Sequence, residues 1–296
     1  MKKILSMLLV LLLVIGMAAA EEISFDRAGN PISLPENKDK LISLAPSVTQ
    51  VIEALGLTDR LIAVDTYSSQ YTSLPEELPQ FDMMNPDIER LAALQPDIIF
   101  TSGMAYIEDN PYAQLTELGI CVIEIPSSES IEGIGQDIRF IAEVLDVPEG
   151  GEAIVAEMQG ELEKVAALGE GITEKKRVFF EVGALHYIYS FGSGTFLVEM
   201  LTLVGAENVL SDQQSWLSVS EETAVALNPD VILTNVDYIE DPVAEILSRP
   251  GWENVTAVKN RAVYAIDNAT SSIPNQNIIQ ALWEMGRKIY PEVFGE

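Results

Sequence analysis

One histidine and one cysteine, His186 and Cys121, are the whole supply of imidazole and thiol in 296 residues. That excludes an intrachain disulfide and any multi-cysteine zinc or iron–sulfur site. It also excludes a multi-histidine metal centre. A nucleophile–base pair built on imidazole would have to use His186, and no serine sits in a Gly-x-Ser-x-Gly elbow. Glu181 follows a strand-like run and could act as an acid, but it has no evident partner. The chain is expected not to be an enzyme. What remains is recognition. Tyr67, Tyr71, Tyr106, Tyr187, Trp216 and Tyr238 fall in the loops between strand and helix patterns. Aromatic rings with a polar tip suit a large, partly apolar, neutral or cationic ligand. No lysine or arginine occurs over residues 61–89, 91–138, 178–248 or 262–286. An anionic ligand buried there would lack a counter-charge.

The balance of 46 acidic against 17 basic side chains, with a formal charge of −29 and a pI near 4.2, disfavours nucleic acid and anionic membrane surfaces. With 48% hydrophobic residues the acidity belongs to a solvated surface and not to disorder. Lys2 and Lys3 precede an apolar run from Ile4 to Met17 and then Ala18-Ala19-Ala20. A basic start, a short apolar segment and a small-residue site read as an export signal over residues 1–20, cleaved before Glu21. The run is shorter than the roughly 20 residues that span a bilayer, so no membrane insertion is expected after cleavage. No cysteine follows it, and the expectation is an exported, periplasmic or extracytoplasmic protein that is not a lipoprotein.

The elements that must position the aromatic loops come in two copies. Glu89-Arg90-Leu91-Ala92-Ala93-Leu94-Gln95-Pro96-Asp97-Ile98-Ile99-Phe100-Thr101 is matched 133 positions later by Glu222-Thr223-Ala224-Val225-Ala226-Leu227-Asn228-Pro229-Asp230-Val231-Ile232-Leu233-Thr234. Each copy reads as an amphipathic helix, a proline stop, an aspartate turn and a buried β-branched strand. Met83 holds the place in the first copy that Trp216 holds in the second. Further strands are expected at Leu41–Ala45, Leu61–Val64 and Val178–Val182, and more weakly at Val209-Leu210. The helices that follow Leu41–Ala45 and Val178–Val182 end near Gly56 and Gly205, and the helices of the repeat start near Asn85-Pro86 and Ser220. This alternation predicts an α/β fold of two Rossmann-like lobes with mainly parallel sheets, over residues 22–130 and 175–296. Residues 131–174 form the linker. Pro148 opens a helix there whose Ile154, Val155, Met158, Leu162, Val165 and Ala166 share one stripe, and a single long helix is expected to join the lobes. Ligands of open parallel sheets bind beyond the carboxyl ends of the strands, so the ligand cleft is expected between the lobes.

Four strings carry a resemblance: Leu41-Ile42-Ser43-Leu44-Ala45-Pro46-Ser47-Val48-Thr49, Leu94-Gln95-Pro96-Asp97, Gly192-Ser193-Gly194-Thr195-Phe196-Leu197 and Asn228-Pro229-Asp230-Val231-Ile232. In order and spacing the chain resembles the periplasmic substrate-binding proteins of ABC importers, in their iron-chelate and vitamin B12 branch. The resemblance implies capture of a metal chelate, a corrinoid such as cobalamin or a ferric siderophore, in the interlobe cleft and delivery to permease subunits. It implies a monomer with no cofactor of its own. The candidate ligand-binding residues are Pro46, Ser47, Tyr67, Met83, Met84, Tyr106, His186, Tyr187, Trp216 and Tyr238; His186 could be an axial ligand to cobalt or iron, and a lone loop histidine also serves as a polar contact or stays solvated. Glu89 and Glu222 match the acidic residues that dock on the permease, and each also lies where it can complement a helix N-terminus. The family often opens its last helix with Pro-Gly-Pro-Arg, but this chain has Pro274-Asn275-Gln276-Asn277. The arginine that helps to hold anionic chelates is thus missing. Open alternatives are a small oxyanion such as molybdate at Gly192-Ser193-Gly194-Thr195, a cleft hydrolase, and a non-transport sensor or adhesin.

Overall fold

The computed structural model describes residues 23–75, 77–103 and 110–295; the export signal and Tyr106 lie outside them. The first half runs β1 (Leu41–Ser43), α1 (Pro46–Ala54), β2 (Leu61–Asp65), β3 (Gln80–Phe81), α2 (Ile88–Ala93), β4 (Ile98–Thr101), α3 (Ala113–Glu117) and β5 (Cys121–Glu124). Its five strands form one parallel sheet in the order β3-β2-β1-β4-β5. Then α4 (Ile131–Val144) and α5 (Pro148–Glu170) lead into β6 (Arg177–Glu181), β7 (Ile188–Phe191), α6 (Phe196–Leu203), β8 (Glu207–Asn208), β9 (Trp216–Val219), α7 (Glu221–Leu227) and β10 (Val231–Thr234). The chain closes with α8 (Pro242–Leu247), α9 (Thr256–Lys259), β11 (Val263–Ala265), α10 (Asn268–Ser272), α11 (Ile278–Ile289) and α12 (Pro291–Phe294). The second sheet is parallel in the order β11-β10-β6-β8, and β7 and β9 pair as an antiparallel ribbon.

The internal repeat has a structural cause. Asp97 Oδ2 accepts from the Asp39 and Lys40 N–H groups at 2.9 and 2.8 Å, just ahead of β1. Asp230 Oδ2 accepts from the Arg177 N–H at 2.9 Å, at the start of β6. Each Pro-Asp pair therefore starts its own strand and sets the entry of the central strand beside it. The residues before the prolines, Gln95 and Asn228, both sit in the left-handed region, at φ 49° and 45°, where the helix turns back into a strand. The helix of the first copy starts two residues later than expected. Asp87, not Asn85-Pro86, is the N-cap, because its carboxylate accepts the Arg90 N–H at 3.0 Å. The weak strand expected at Val209-Leu210 falls two residues earlier as β8. There the Asn208 side chain accepts the Leu210 N–H at 3.0 Å and turns the chain away.

Side chains alternate across each strand, and the alternation divides the interior. Ile98 and Phe100 of β4, Val178 and Phe180 of β6, and Val231 and Leu233 of β10 join one apolar cluster with α1, α4, α5, α6 and α11. Ile99 faces a separate cluster with Leu91, Tyr112 and Leu115, while Phe179 and Ile232 face another with Trp252 and Ile246. The shared cluster crosses from one sheet to the other beneath α5. That helix has 23 residues and spans about 35 Å at 1.5 Å per residue.

Both ends of α5 make close approaches that only glycine allows. A Cβ on Gly151 would lie 2.5 Å from Ala142 Cβ of α4, and one on Gly169 would lie 2.1 Å from the Leu203 carbonyl oxygen at the end of α6. By contrast, a Cβ on Gly160 would meet nothing within 4 Å. Alanine lowers the cost of a helix interior by up to about 1 kcal/mol, whereas forced overpacking costs about 1–3 kcal/mol. The expected outcome is opposite signs on one helix: Gly160→Ala raises the urea midpoint and Gly169→Ala lowers it.

Candidate functional site

In each sheet the strand order reverses beside the central strand, between β1 and β4 and between β6 and β10. A crevice opens at such a switch point, beyond the strand carboxyl ends. In the first half the loops there supply Ala45, Pro46 and Ser47 after β1 and Ser102 after β4, and these line a cavity of about 330 Å³. Tyr67 and Tyr71 after β2, Met83 and Met84 after β3, and Ile125 and Ser127 after β5 complete that wall. The opposite wall comes from the second half: Asn268 and Ser272 of α10, then Ile273 and Pro274. Among the described residues no charged side chain lines this cavity.

Of the residues singled out in the sequence, Pro46, Ser47, Tyr67, Met83 and Met84 thus come together on one wall. Met83 is buried, and its carbonyl accepts from the Tyr112 hydroxyl at 3.2 Å. Tyr106 lies outside the described residues. His186, Tyr187, Trp216 and Tyr238 are all exposed and do not line this cavity. His186 and Tyr187 stand in the loop after β6 and Tyr238 in the loop after β10, while Trp216 opens β9 of the ribbon. The Tyr238 hydroxyl accepts the Ala184 N–H at 2.8 Å and ties the loop after β10 to the loop after β6. Tyr189 and Trp216 share the open face of the β7–β9 ribbon, since Tyr189 pairs with Ser218 and Phe191 with Trp216. Trp216 is 49% exposed, and its ring meets the edge of Phe191 at 5.8 Å between centroids. Thr195 at the end of Gly192-Ser193-Gly194 caps α6, accepting the Val198 N–H at 3.4 Å.

The Tyr67 loop rests on a buried polar chain that was not singled out in the sequence. Asp65, fully buried at the end of β2, accepts the N–H groups of Tyr67 and Ser68 at 2.8 and 3.0 Å. It also accepts the Ser68 hydroxyl. The Ser68, Thr49 and Ser43 hydroxyl oxygens follow in a row at 2.8 Å spacing. Burial pushes the Asp65 carboxyl above its ordinary value, offset only in part by these donors. The signal for this chain was present as Leu61-Ile62-Ala63-Val64-Asp65 followed by Tyr67-Ser68, a strand ending in an aspartate turn. The Tyr71 hydroxyl is also held above the usual phenol value, first by burial and then by the negative charges of Asp237, Asp267 and Asp65. Carboxylates of both halves therefore act on one side chain of the cleft.

Nothing in this arrangement resembles a catalytic set. Glu181 forms a buried ion pair with Arg249, at 2.6 and 3.0 Å, with Glu245 on the other side of the guanidinium. The Cys121 thiol is pushed up to about 11 by burial, which suppresses the nucleophilic thiolate. Among the described residues no cluster of three or more His, Cys, Asp or Glu side chains could hold a metal ion.

Two parallel α/β lobes with a cleft between their switch points define a bilobed solute-binding protein. The chain belongs to the periplasmic binding protein family, whose pattern matches residues 41–270. It is 30% identical over 275 residues to the ABC transporter substrate-binding lipoprotein YvrC of Bacillus subtilis, covering 92% of this chain and 86% of the relative. It is also 30% identical over 199 residues to the vitamin B12-binding protein of Pectobacterium carotovorum, covering 66% of this chain and 70% of that one. Its fold matches molybdate-bound MolA of Haemophilus influenzae at a TM-score of 0.79, with 22% identity and 91% of each chain covered. Relatives of this kind are substrate-binding components of ABC transporters, and the chain is a transport protein and not an enzyme. One expectation is overturned. The absence of a lipoprotein was argued from the missing cysteine after the apolar run, yet the YvrC relative is named a lipoprotein. Tethering is a property of the N-terminal segment, which lies outside the described residues, and the binding fold does not determine it. An extracytoplasmic location agrees with the comparison.

The polar chain generates a prediction. Asp65→Ala would leave two N–H groups and a hydroxyl without their buried acceptor, at a cost of about 2–4 kcal/mol. A urea unfolding curve should show that loss; a change below about 0.5 kcal/mol, within the range of ordinary surface substitutions, would remove the role given to Asp65.

Proposed function

We propose that the interlobe cleft captures a neutral or cationic metal chelate, a corrinoid first and a neutral ferric hydroxamate next. The observation that carries this reading is a cleft wall of aromatic, methionine and hydroxyl side chains with no cation among the described residues, and with the carboxylates of Asp237, Asp267 and Asp65 near Tyr71. A carboxylate-bearing or catecholate ligand would be desolvated there without a partner. A corrinoid presents a broad apolar face and neutral amide arms to tyrosine, methionine and serine. A cavity of about 330 Å³ lies at the low end of ligand-site volumes, roughly 300–1,000 Å³, so a corrinoid extends beyond it. His186, exposed in the loop between β6 and β7, supplies the one imidazole of the chain for an axial metal position. The vitamin B12-binding relative at 30% identity supports the same choice.

Glu89 and Glu222 support delivery to a permease. Each is the second residue of its helix, α2 or α7, and both are exposed. They occupy the same position of the repeat, one per lobe. Two carboxylates on matching helix starts suit basic pockets on paired membrane subunits.

Titration of the mature protein with cobinamide, cobalamin, ferrichrome, haem and molybdate, followed by Trp216 fluorescence, tests the ligand class. Corrinoid should bind with a Kd of about 1 μM or tighter, and Tyr67→Ala should weaken it by at least about tenfold, roughly 1.4 kcal/mol. Exclusive binding of haem or molybdate would overturn the reading. In a separate uptake assay, Glu89→Ala combined with Glu222→Ala should abolish transport and leave soluble affinity unchanged. Normal transport by that double variant would remove the docking role.

A further inference from the structure

The string Pro274-Asn275-Gln276-Asn277 makes a contact with the first lobe. Asn275 Nδ2 and Asn277 Nδ2 donate to Gln50 Oε1 at 2.8 and 2.6 Å, and Gln276 Nε2 donates to the Gln50 backbone carbonyl at 3.1 Å. These bonds join α1 of the first lobe to the head of α11 in the second, across 225 to 227 residues of chain. Gln50 is 3% exposed and Asn275 is fully buried. Asn275 Oδ1 in turn accepts the Asn277 N–H at 2.8 Å, so the donors are held in place before they meet Gln50. Residues three and four apart on a helix share a face. Gln50 is therefore one turn along from Ser47 and Pro46, which line the cleft, while Pro274 and Ile273 of the opposite wall directly precede the three amides. Pro274 also packs with Ser47 and Ile134 at a small recess on the first lobe.

We infer that Gln50 is a positioning residue for ligand binding: its amide clasp sets the separation of the two cleft walls without touching the ligand. Three neutral amide donors converge on one acceptor residue, so the clasp adds no charge to a cleft that must remain free of cations for a neutral or cationic guest. Its loss lowers the population of the binding-competent spacing, and apparent affinity falls in proportion to that population. The affinity part of this claim rests on the cleft being the ligand site; the spacing part does not.

The test measures the lobe separation in ligand-free protein. Spin labels at Glu117→Cys in the first lobe and Lys259→Cys in the second, in a Cys121→Ser background, report the interlobe distance by electron double resonance. Gln50→Ala is expected to lengthen and broaden the distribution by several ångströms on the scale of small hinge motions, and to weaken cobinamide binding by about tenfold. Asn277→Ala, which removes one donor at the edge of the clasp, should do the same to a smaller degree and decides the matter if Gln50→Ala does not fold. An unchanged distribution in a folded variant of either kind overturns the inference. Weakened binding with unchanged spacing also overturns it, since Gln50 would then act on the ligand directly. If wild-type protein fails to bind cobinamide while the variants still open, the ligand assignment falls and the clasp stands.

Discussion

The rest of the structure depends on one continuous apolar core that passes from the first sheet to the second beneath α4 and α5. Each sheet contributes alternate residues of its central strands to it, Ile98 and Phe100 on one side and Val178, Phe180, Val231 and Leu233 on the other. Val155, Met158 and Val165 of α5 fill the space between. Interiors packed to crystal-like density transmit strain and yield little. Gly151 and Gly169 bring the helix against α4 and α6 at distances that no larger residue tolerates. A rigid backing of this kind leaves the opposite side, where the strand ends face each other, as the place where the lobes separate.

The site follows from topology before it follows from any particular side chain. Two reversals of strand order put the loops after β1, β4, β6 and β10 at facing crevices, and the cavity forms from the first pair together with the segment after β11. What those loops carry decides the chemistry. Tyrosine, methionine and serine offer faces, edges and hydroxyl groups, and no charged side chain among the described residues lines the wall. Arg249, paired with Glu181 at the end of β6, is 3% exposed and held between Glu181 and Glu245. It serves the interior of the second lobe, with its guanidinium 4.9 Å from the centre of the Trp252 ring.

Much of this was legible in the residues. The thirteen-residue repeat announced two homologous halves because each copy builds the same unit, a short helix, a left-handed turn and an aspartate that seats a central strand. The first-lobe wall was legible for the same reason: Pro46, Ser47, Tyr67 and Met83 sit directly after strands whose pattern is unambiguous. The second wall was not. Tyr187, Trp216 and Tyr238 also follow strands, but they project from the open ribbon and loops, whereas Asn268, Ser272 and Ile273 close the cavity. Their composition gave no sign of it, since small polar residues near a helix start read as an ordinary cap.

The sequence by itself determined the units, because hydrophobic period, prolines, caps and a duplicated string are local properties of the chain. Long stretches without lysine or arginine also cover every residue that lines the cavity, so its wall among the described residues carries no cation. Only the tertiary structure decided which loops meet. Gln50 and Asn275 are separated by 225 residues, and nothing local in either marks the other as its partner. The contact exists because the shared core fixes the angle between two sheets, and that angle is a property of packing in three dimensions.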